Sequence, residues 1–349
     1  MARTDFHPLT VAAVDSLTED SAAVTFTVPR ELGSAFAFEP GQSLTIKYGQ
    51  ERRSYSICVA AGRAPRIGVR EVAGGAVSGW LVHRVKPGDV VEVQPPAGSF
   101  TPDLTAAGNH VLIAAGSGIT PMLSIAGSLL AAHAESTVTL LYGNRRSDSV
   151  MFADEVSDLK DAYPARMRLV HVLSREAQEV ELFSGRLDGP KLRALLPVTV
   201  NVADIDHWWL CGPFGMVTDA IEVLTELGVD RAAIHRELFY VGEDPPAEVH
   251  HEEPPVGVGA EVTVVLDGRS STVTVPPDTA VLDGAQKVRP DLPFACKGGV
   301  CGTCRALVTD GQVRMRRNYA LEQFEVDAGY VLTCQAIPTT DAVTVDFDS

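Results

Sequence analysis

Four cysteines constrain this chain more than any other feature: Cys296, Cys301 and Cys304 form a C-x4-C-x2-C run, and Cys334 follows 30 residues later. Three thiolates that must converge on one small centre need a compact loop between them, and Lys297-Gly298-Gly299-Val300 and Gly302-Thr303 provide it. Glycines let backbone N–H groups turn inward and hydrogen-bond the sulfurs, which offsets the charge of a four-thiolate site. A structural zinc site normally pairs two short C-x2-4-C knuckles, whereas here the distant ligand Cys334 stands alone. A disulfide framework is disfavoured as well, because Met1-Ala2-Arg3-Thr4 opens no signal peptide and a chain of 349 residues does not depend on staples. What remains is the ligand spacing of a plant-type [2Fe-2S] cluster, so the chain is expected to transfer electrons.

With 45% hydrophobic and 21% charged residues, the chain has the material for two or three separate cores. No stretch approaches the uninterrupted apolar length of a membrane span. A net charge of -16 would repel nucleic-acid phosphates, and no basic stripe offsets it. The expected address is the cytoplasm. The acidity reads first as a solubility-promoting surface and second as a means of docking a basic partner.

Residues 241–260 combine prolines, acids and glycines without hydrophobic periodicity and read as a linker. The run His250-His251-Glu252-Glu253 looks like a metal cluster on paper, but four adjacent side chains in a tether do not converge easily on one ion. At about 5 to 6 Å times the square root of its length, such a tether would span roughly 25 Å. Before it, residues 1–106 carry short alternating segments (Ala23 to Val28, Ser43 to Tyr48, Asp89 to Val93) punctuated by Gly and Pro, which predicts an antiparallel β-barrel. Residues 107–240 alternate apolar strands (Val111 to Ala115, Thr137 to Tyr142, Met167 to Leu173, His207 to Cys211) with helical stretches from Pro121 and from Asp148 to Lys160. That alternation predicts an α/β domain with a parallel sheet. In residues 261–349, Glu261 to Leu266 and Ser271 to Val275 flank Asp267-Gly268, a strong hairpin signal. A short helix over Thr279 to Val288, the cysteine loop and a closing strand over Ala342 to Phe347 complete an α+β cluster domain.

Gly116-Ser117-Gly118-Ile119-Thr120-Pro121 lies between a buried strand and a helix, where free N–H groups and the helix dipole favour a pyrophosphate; a tight turn without a ligand is the blander reading. Pro121 suits the first helical turn, where its missing N–H costs nothing. A dinucleotide fold that prefers NAD usually ends its next strand on an acid. This chain has Tyr142-Gly143-Asn144-Arg145-Arg146-Ser147 instead, and Arg145 or Arg146 suits a 2'-phosphate, so NADPH is expected over NADH. Gly74-Gly75-Ala76-Val77-Ser78 looks like a second anion-binding turn with Ser78 as helix cap. Arg52-Arg53-Ser54-Tyr55-Ser56 brings a cation, an aromatic ring and hydroxyls together, although Tyr and Ser alternating also suit an ordinary strand. Among single residues, Cys58, Trp208 and Trp209 read as core and Asn318 as a cap or turn residue. Glu322 and Glu325 read first as a solvated helix face and second as docking charges.

Arg53-Ser54-Tyr55-Ser56 and Gly75-Ala76-Val77-Ser78 resemble the flavin motifs of the ferredoxin-NADP reductase superfamily, and Cys211-Gly212-Pro213 and Glu237-Leu238-Phe239 resemble its nicotinamide and flavin-edge motifs. The resemblance implies FAD and NADPH as cofactors. Arg53 would hold the FAD phosphate, Ser54 would belong to the same FAD-binding motif, Tyr55 would pack against the isoalloxazine and Ser56 would hydrogen-bond near its reactive nitrogen. Gly75, Ala76, Val77 and Ser78 would bind the FAD pyrophosphate, and Gly116, Gly118 and Pro121 that of NADPH. Thr120, Cys211, Gly212 and Pro213 would lie near the nicotinamide, with Glu237 and Phe239 closing the flavin site. Tyr55, Ser56 and Cys211 are thus the candidate catalytic residues.

A closer resemblance, to the reductase components of phenylacetyl-CoA epoxidases, covers nearly the whole chain. It is carried by Phe6 to Val11, Ala114 to Met122, Tyr142 to Arg145, Gly185 to Gly189, Phe294 to Cys304, Asn318 to Glu322 and Gly329 to Ala336. The short connection Gly49-Gln50-Glu51 before Arg53 is a small departure that leaves the flavin assignment intact. The resemblance implies a β-grasp ferredoxin domain and electron flow from NADPH through FAD and the cluster to a di-iron oxygenase partner. A flavin reconciles a two-electron hydride donor with a one-electron cluster. A Rieske-type hydroxylase, for instance one acting on steroids, is the rival acceptor. A redox carrier or sensor that does not use a flavin is the rival class.

Overall fold

The computed structural model describes residues 5–49, 51–240, 259–321 and 323–349. The described residues gather into two compact units, one of 7–49, 51 and 55–240, the other of 5–6, 52–54, 259–321 and 323–349. Residues 241–258, with the linker reading and the His250-His251-Glu252-Glu253 run, lie outside the described residues, as does Glu322.

The barrel strands are β1 (His7–Thr18), β2 (Ser21–Thr27), β3 (Ser43–Tyr48), β4 (Glu51–Ser56), β5 (Arg66–Arg70) and β6 (Val90–Val93), in the order β4-β3-β6-β1-β2-β5. Helix α1 (Ala76–His83) connects β5 to β6. Period-2 alternation sorts the faces: Val91 and Val93 are inside while Val90 and Glu92 face solvent. The two edges meet just beyond β4, where Ile57 bridges Ile67 and the Cys58 N–H donates to the Arg66 carbonyl at 2.8 Å. Joining the edges this way leaves few unpaired backbone groups at the seam. The Cys58 thiol also bonds the Arg66 carbonyl, and burial pushes its pKa up to about 12, so it behaves as the small core residue expected.

In the same unit follow β7 (Asn109–Ala115), α2 (Ile119–Ala132), β8 (Thr137–Asn144), α3 (Ala153–Ala162), β9 (Met167–Leu173), α4 (Gly189–Thr199), β10 (His207–Pro213), α5 (Phe214–Glu226) and β11 (Ile234–Tyr240). The five strands run parallel in the order β11-β10-β7-β8-β9. Chain order reverses between β7 and β10, and ligands bind outside the carboxyl ends of strands at such a switch point. Helices cover both faces, which is why Val111-Leu112-Ile113-Ala114 is apolar without alternation. Trp208 and Trp209 are core residues, as expected. The barrel and this sheet share a core: Ala23, Cys58 and Phe100 pack with α2 and β10 residues. The Ser124 hydroxyl donates to the Val59 carbonyl at 2.7 Å.

The second unit holds β12 (Ala260–Leu266), β13 (Arg269–Val275), α6 (Val281–Ala285), β14 (Arg305–Asp310), β15 (Val313–Met315), α7 (Gln323–Asp327), β16 (Tyr330–Leu332), β17 (Ala336–Pro338) and β18 (Ala342–Asp346). The main sheet has the order β13-β12-β18-β14-β16, with β12 and β18 parallel, and β15 pairs β17 separately. Asp267 and Gly268 both take positive φ (54° and 66°), as a two-residue hairpin of this twist requires. The helix expected over Thr279 to Val288 is shorter, Val281–Ala285, because Pro276-Pro277-Asp278 and the turn after Gln286 leave it one turn and a half. Glu325 corrects a further expectation: it is buried against the sheet and accepts a hydrogen bond from Arg305 at 2.9 Å rather than facing solvent.

Candidate functional site

The cysteine loop owes its shape to three residues with positive φ, Lys297 (51°), Gly299 (80°) and Gly302 (68°). No three metal-ligating side chains among the described residues close on a single ion. The four thiols act on one another's ionisation chiefly in two pairs, Cys296 with Cys301 and Cys304 with Cys334. A dinuclear cluster needs two thiolates for each iron, so the donor set fits [2Fe-2S]. The Cys301 thiol and the N–H groups of Val300, Gly298 and Cys301 hold the Cys296 thiol well below its ordinary pKa, against the cost of desolvation. The Gly298 N–H lies 3.3 Å from the sulfur. Cys296 is exposed while Cys304 and Cys334 are buried, which leaves one side of the site open to a partner.

At the switch point, β7 is followed by Gly116 (φ 56°), which leads through Ser117-Gly118 into α2. The Thr120 hydroxyl donates to the Ser117 carbonyl at 3.0 Å and the Ile119 N–H to the Gly116 and Ser117 carbonyls, so it is the Gly116–Gly118 turn ahead of α2, without a side-chain cap, that offers its N–H side to an anion. Pro121 lies in that first turn, as expected. The turn presses on β10: a Cβ at Gly118 would stand 2.1 Å from the Cys211 carbonyl oxygen. Gly116 to Pro121 and Cys211 to Pro213, distant in sequence, are thus brought together. Cys211 is fully buried, and burial followed by the neighbouring Glu237 charge pushes its thiol pKa well up, so it stays a neutral thiol and not a nucleophile.

The flavin-edge residues also meet. Cys211 lies opposite Glu237 in the β10/β11 register. The Ser56 hydroxyl, at the end of β4, donates to the Glu237 carboxylate at 3.0 Å. Desolvation pushes the Glu237 pKa up to about 7, with the Ser56 hydrogen bond opposing the shift. Tyr55 is half-buried, whereas Arg53 and Phe239 are exposed. At α1 the cap is Gly75, not Ser78: the Ser78 side chain turns back to accept from the Val72 N–H and to donate to the Gly75 carbonyl. The N–H groups of the first turn of α1 are thus left without a side-chain cap. A Cβ at Gly75 would stand 2.7 Å from the Ser78 oxygen, so the turn is built for glycine. A pyrophosphate fits both uncapped turns.

The residues expected at the ribose end of the nucleotide lie beyond β8. Arg145 is exposed just beyond β8, and Arg146 is held by Asp148 at 3.1 Å. Pairing of β8 with β9 continues past the strands, with the Arg175 N–H donating to the Arg145 carbonyl at 2.8 Å, and so brings the backbone of Arg175, a residue that local reading missed, beside Arg145. Glu176 is brought in as well and accepts from the Ser147 N–H and hydroxyl, both at 2.9 Å. Arg70 on β5 is another omission: it donates to the Ser149 carbonyl at 2.8 Å and stands beside the Gly116 turn. Only knowledge of the strand pairing could have found these residues.

The chain is 43% identical to a component of the 1,2-phenylacetyl-CoA epoxidase of Escherichia coli (strain K12), over 99% of both chains. It is 34% identical to the ferredoxin reductase component of 3-ketosteroid-9-alpha-monooxygenase from Rhodococcus rhodochrous, over 97% of this chain and 96% of that one. The chain belongs to the family of oxygenase reductase components. Family models describe an oxidoreductase FAD-binding domain at residues 8–101, an oxidoreductase NAD-binding domain at 112–222 and a 2Fe-2S iron-sulfur cluster binding domain at 264–339. As in this family, the chain is an oxidoreductase whose FAD-binding, NAD-binding and [2Fe-2S] domains follow one another in that order. Phthalate dioxygenase reductase shares the fold, with a TM-score of 0.61 at 22% identity over 98% of each chain. No helix among the described residues is long and apolar enough to cross a membrane.

Proposed function

We propose that this chain is the reductase of a phenylacetyl-CoA epoxidase, taking electrons from NADPH and delivering them to a separate di-iron oxygenase in the cytoplasm. Full-length identity of 43% to the Escherichia coli epoxidase component carries the reading. FAD, when bound, would supply the chemistry that joins a two-electron nicotinamide donor to a one-electron [2Fe-2S] cluster. In this reading residues 1–106 hold FAD, 107–240 hold NADPH, 241–260 tether and 261–349 carry the cluster on Cys296, Cys301, Cys304 and Cys334.

Each residue set has a separate task. The uncapped N–H groups from Gly75 to Ser78 bind the FAD pyrophosphate, with Arg53 and Ser54 beside the phosphate and Tyr55 against the ring. Gly116, Gly118, Thr120 and Pro121 shape the turn that receives the second pyrophosphate, and Gly212 and Pro213 line the nicotinamide end of β10. Cys211, buried and neutral, presents bulk without a competing charge. Glu237, poised near pH 7, holds or releases a proton at its contact with the Ser56 hydroxyl, and Phe239 shields that edge. Arg145 and Arg175 favour the 2'-phosphate of NADPH, while Arg146 is engaged by Asp148.

The test combines the purified protein with the oxygenase component of a phenylacetyl-CoA epoxidase, NADPH, oxygen and phenylacetyl-CoA. Substrate consumption that requires this chain supports the proposal; none, under conditions where the Escherichia coli relative restores it, refutes it. The 34% identity to the ketosteroid reductase makes a Rieske-type hydroxylase the second acceptor to try.

A further inference from the structure

The chain is strongly acidic, at -16, yet its cluster loop is bordered by cations. Arg314, Arg316 and Arg317 fall within four positions and all three are exposed. Val313 and Met315 pack against the domain core, so strand alternation turns Arg314 and Arg316 outward. Hydrogen bonds fasten this segment to the cluster loop. The Arg316 N–H donates to the Gln335 carbonyl at 2.9 Å, next to Cys334, and the Gln335 side-chain amide donates to the Lys297 carbonyl at 2.8 Å. The Tyr319 N–H donates to the Gly299 carbonyl at 3.1 Å, and a Cβ at Gly299 would stand 3.3 Å from the Arg317 carbonyl oxygen. The arginines therefore border the loop that carries Cys296 and Cys301.

Other cations nearby are neutralised. Lys297 pairs with Asp283 and Arg305 with Glu325, each at 2.9 Å. Among the described residues no carboxylate pairs with Arg314, Arg316 or Arg317, and the Arg316 guanidinium donates to the Asp278 carbonyl. Solubility does not ask an acidic protein to gather like charges at one place. Guanidinium groups do suit carboxylates, which they bind two hydrogen bonds at a time.

We propose that the Arg314, Arg316 and Arg317 face docks an acidic face of the electron-accepting oxygenase component and brings its metal centre against the cluster edge. The proposal rests on the acceptor reading above. Negative charge elsewhere on the chain repels such a partner in other orientations, so the patch selects one approach as well as speeding encounter.

The test uses the full-length holoprotein and its Arg314→Glu/Arg317→Glu variant, leaving Arg316 to hold the Asp278 carbonyl. After anaerobic reduction, each is mixed with the oxygenase component of a phenylacetyl-CoA epoxidase, and cluster reoxidation is followed from about 20 to 300 mM salt. The bimolecular rate constant of the variant should fall about 10-fold or more at low salt and should no longer decrease as salt is added. Its internal reduction by NADPH should keep the wild-type rate, and Arg314→Lys/Arg317→Lys should restore most of the encounter rate. An unchanged rate constant with wild-type salt dependence overturns the proposal. So does a loss confined to internal reduction, which would assign the arginines to the chain's own flavin domain. Failure of the wild-type cluster to be reoxidised refutes the acceptor assignment, and the docking surface with it.

Discussion

Gly118→Ala should slow hydride transfer from NADPH by about 10²-fold, because the added methyl group has nowhere to go. Gly118 has ordinary right-handed dihedrals, φ -59° and ψ -8°, so its backbone would accept alanine; the obstacle is space. The new Cβ would stand 2.1 Å from the Cys211 carbonyl oxygen and 2.6 Å from its carbon, where real contacts essentially never fall under 3.0 Å. Relief requires β10 and the Gly116 turn to separate by about 1 Å, and a misplacement of that size is sufficient for a loss of two orders of magnitude. Overpacking of this kind also costs about 1 to 3 kcal/mol, or roughly 2 to 12 °C in Tm for a unit of this size. Flavin reduction by NADPH in a stopped-flow instrument gives the rate, and a thermal melt gives the stability. Gly215→Ala is the control, since its Cβ would meet nothing within 4 Å. Wild-type rate and Tm in Gly118→Ala would refute the claim that the two segments form one site.

Arg145→Ala should raise the Kd for NADPH roughly 10- to 150-fold, the equivalent of one charge-assisted hydrogen bond of about 1.5 to 3 kcal/mol, and leave NADH nearly unchanged; equal effects on both nucleotides contradict the role. Cys301→Ser should abolish electron delivery through the cluster while NADPH-driven reduction of a small acceptor at the flavin persists, and loss of both in protein that retains FAD would contradict the order of carriers. Glu237→Gln tests the buried carboxyl. Its pKa is raised from 4.5 to about 7, so the stability present below pH 4.5 is lost as pH rises through 7, and the variant should melt like the wild type at acid pH and increasingly above it toward pH 8. A pH-independent difference would remove the shift from the argument.

Features set by neighbouring residues could be read directly. The Asp267-Gly268 hairpin, the apolar β7 and the cysteine loop each depend on local φ, local periodicity or ligand spacing, and each folds as expected. Asn318 is another: its side chain accepts from the Leu321 N–H at 2.9 Å and donates to the Leu321 carbonyl, forming the turn expected of it. What escaped the sequence depends on register between distant strands. Ser56 reaches Glu237 across 181 positions, and Arg175 joins Arg145 only because β8 and β9 are parallel and in step. Ser78 is deceptive because Asp, Ser and Thr near a helix start are usual caps, yet here glycine takes the cap and frees the N–H groups for an anion. Glu325 has the sequence context of a surface helix, and only its packing beside Arg305 buries it.

An anaerobic titration with NADPH, followed by visible absorbance and by electron paramagnetic resonance, tests the central claim most directly. The account predicts that FAD absorbance bleaches and that the signal of a reduced [2Fe-2S] cluster grows in the same protein, with the cluster signal absent in Cys301→Ser. A protein that stays colourless after loading with FAD, iron and sulfide, or one whose cluster remains oxidised while its flavin is fully reduced, would contradict it.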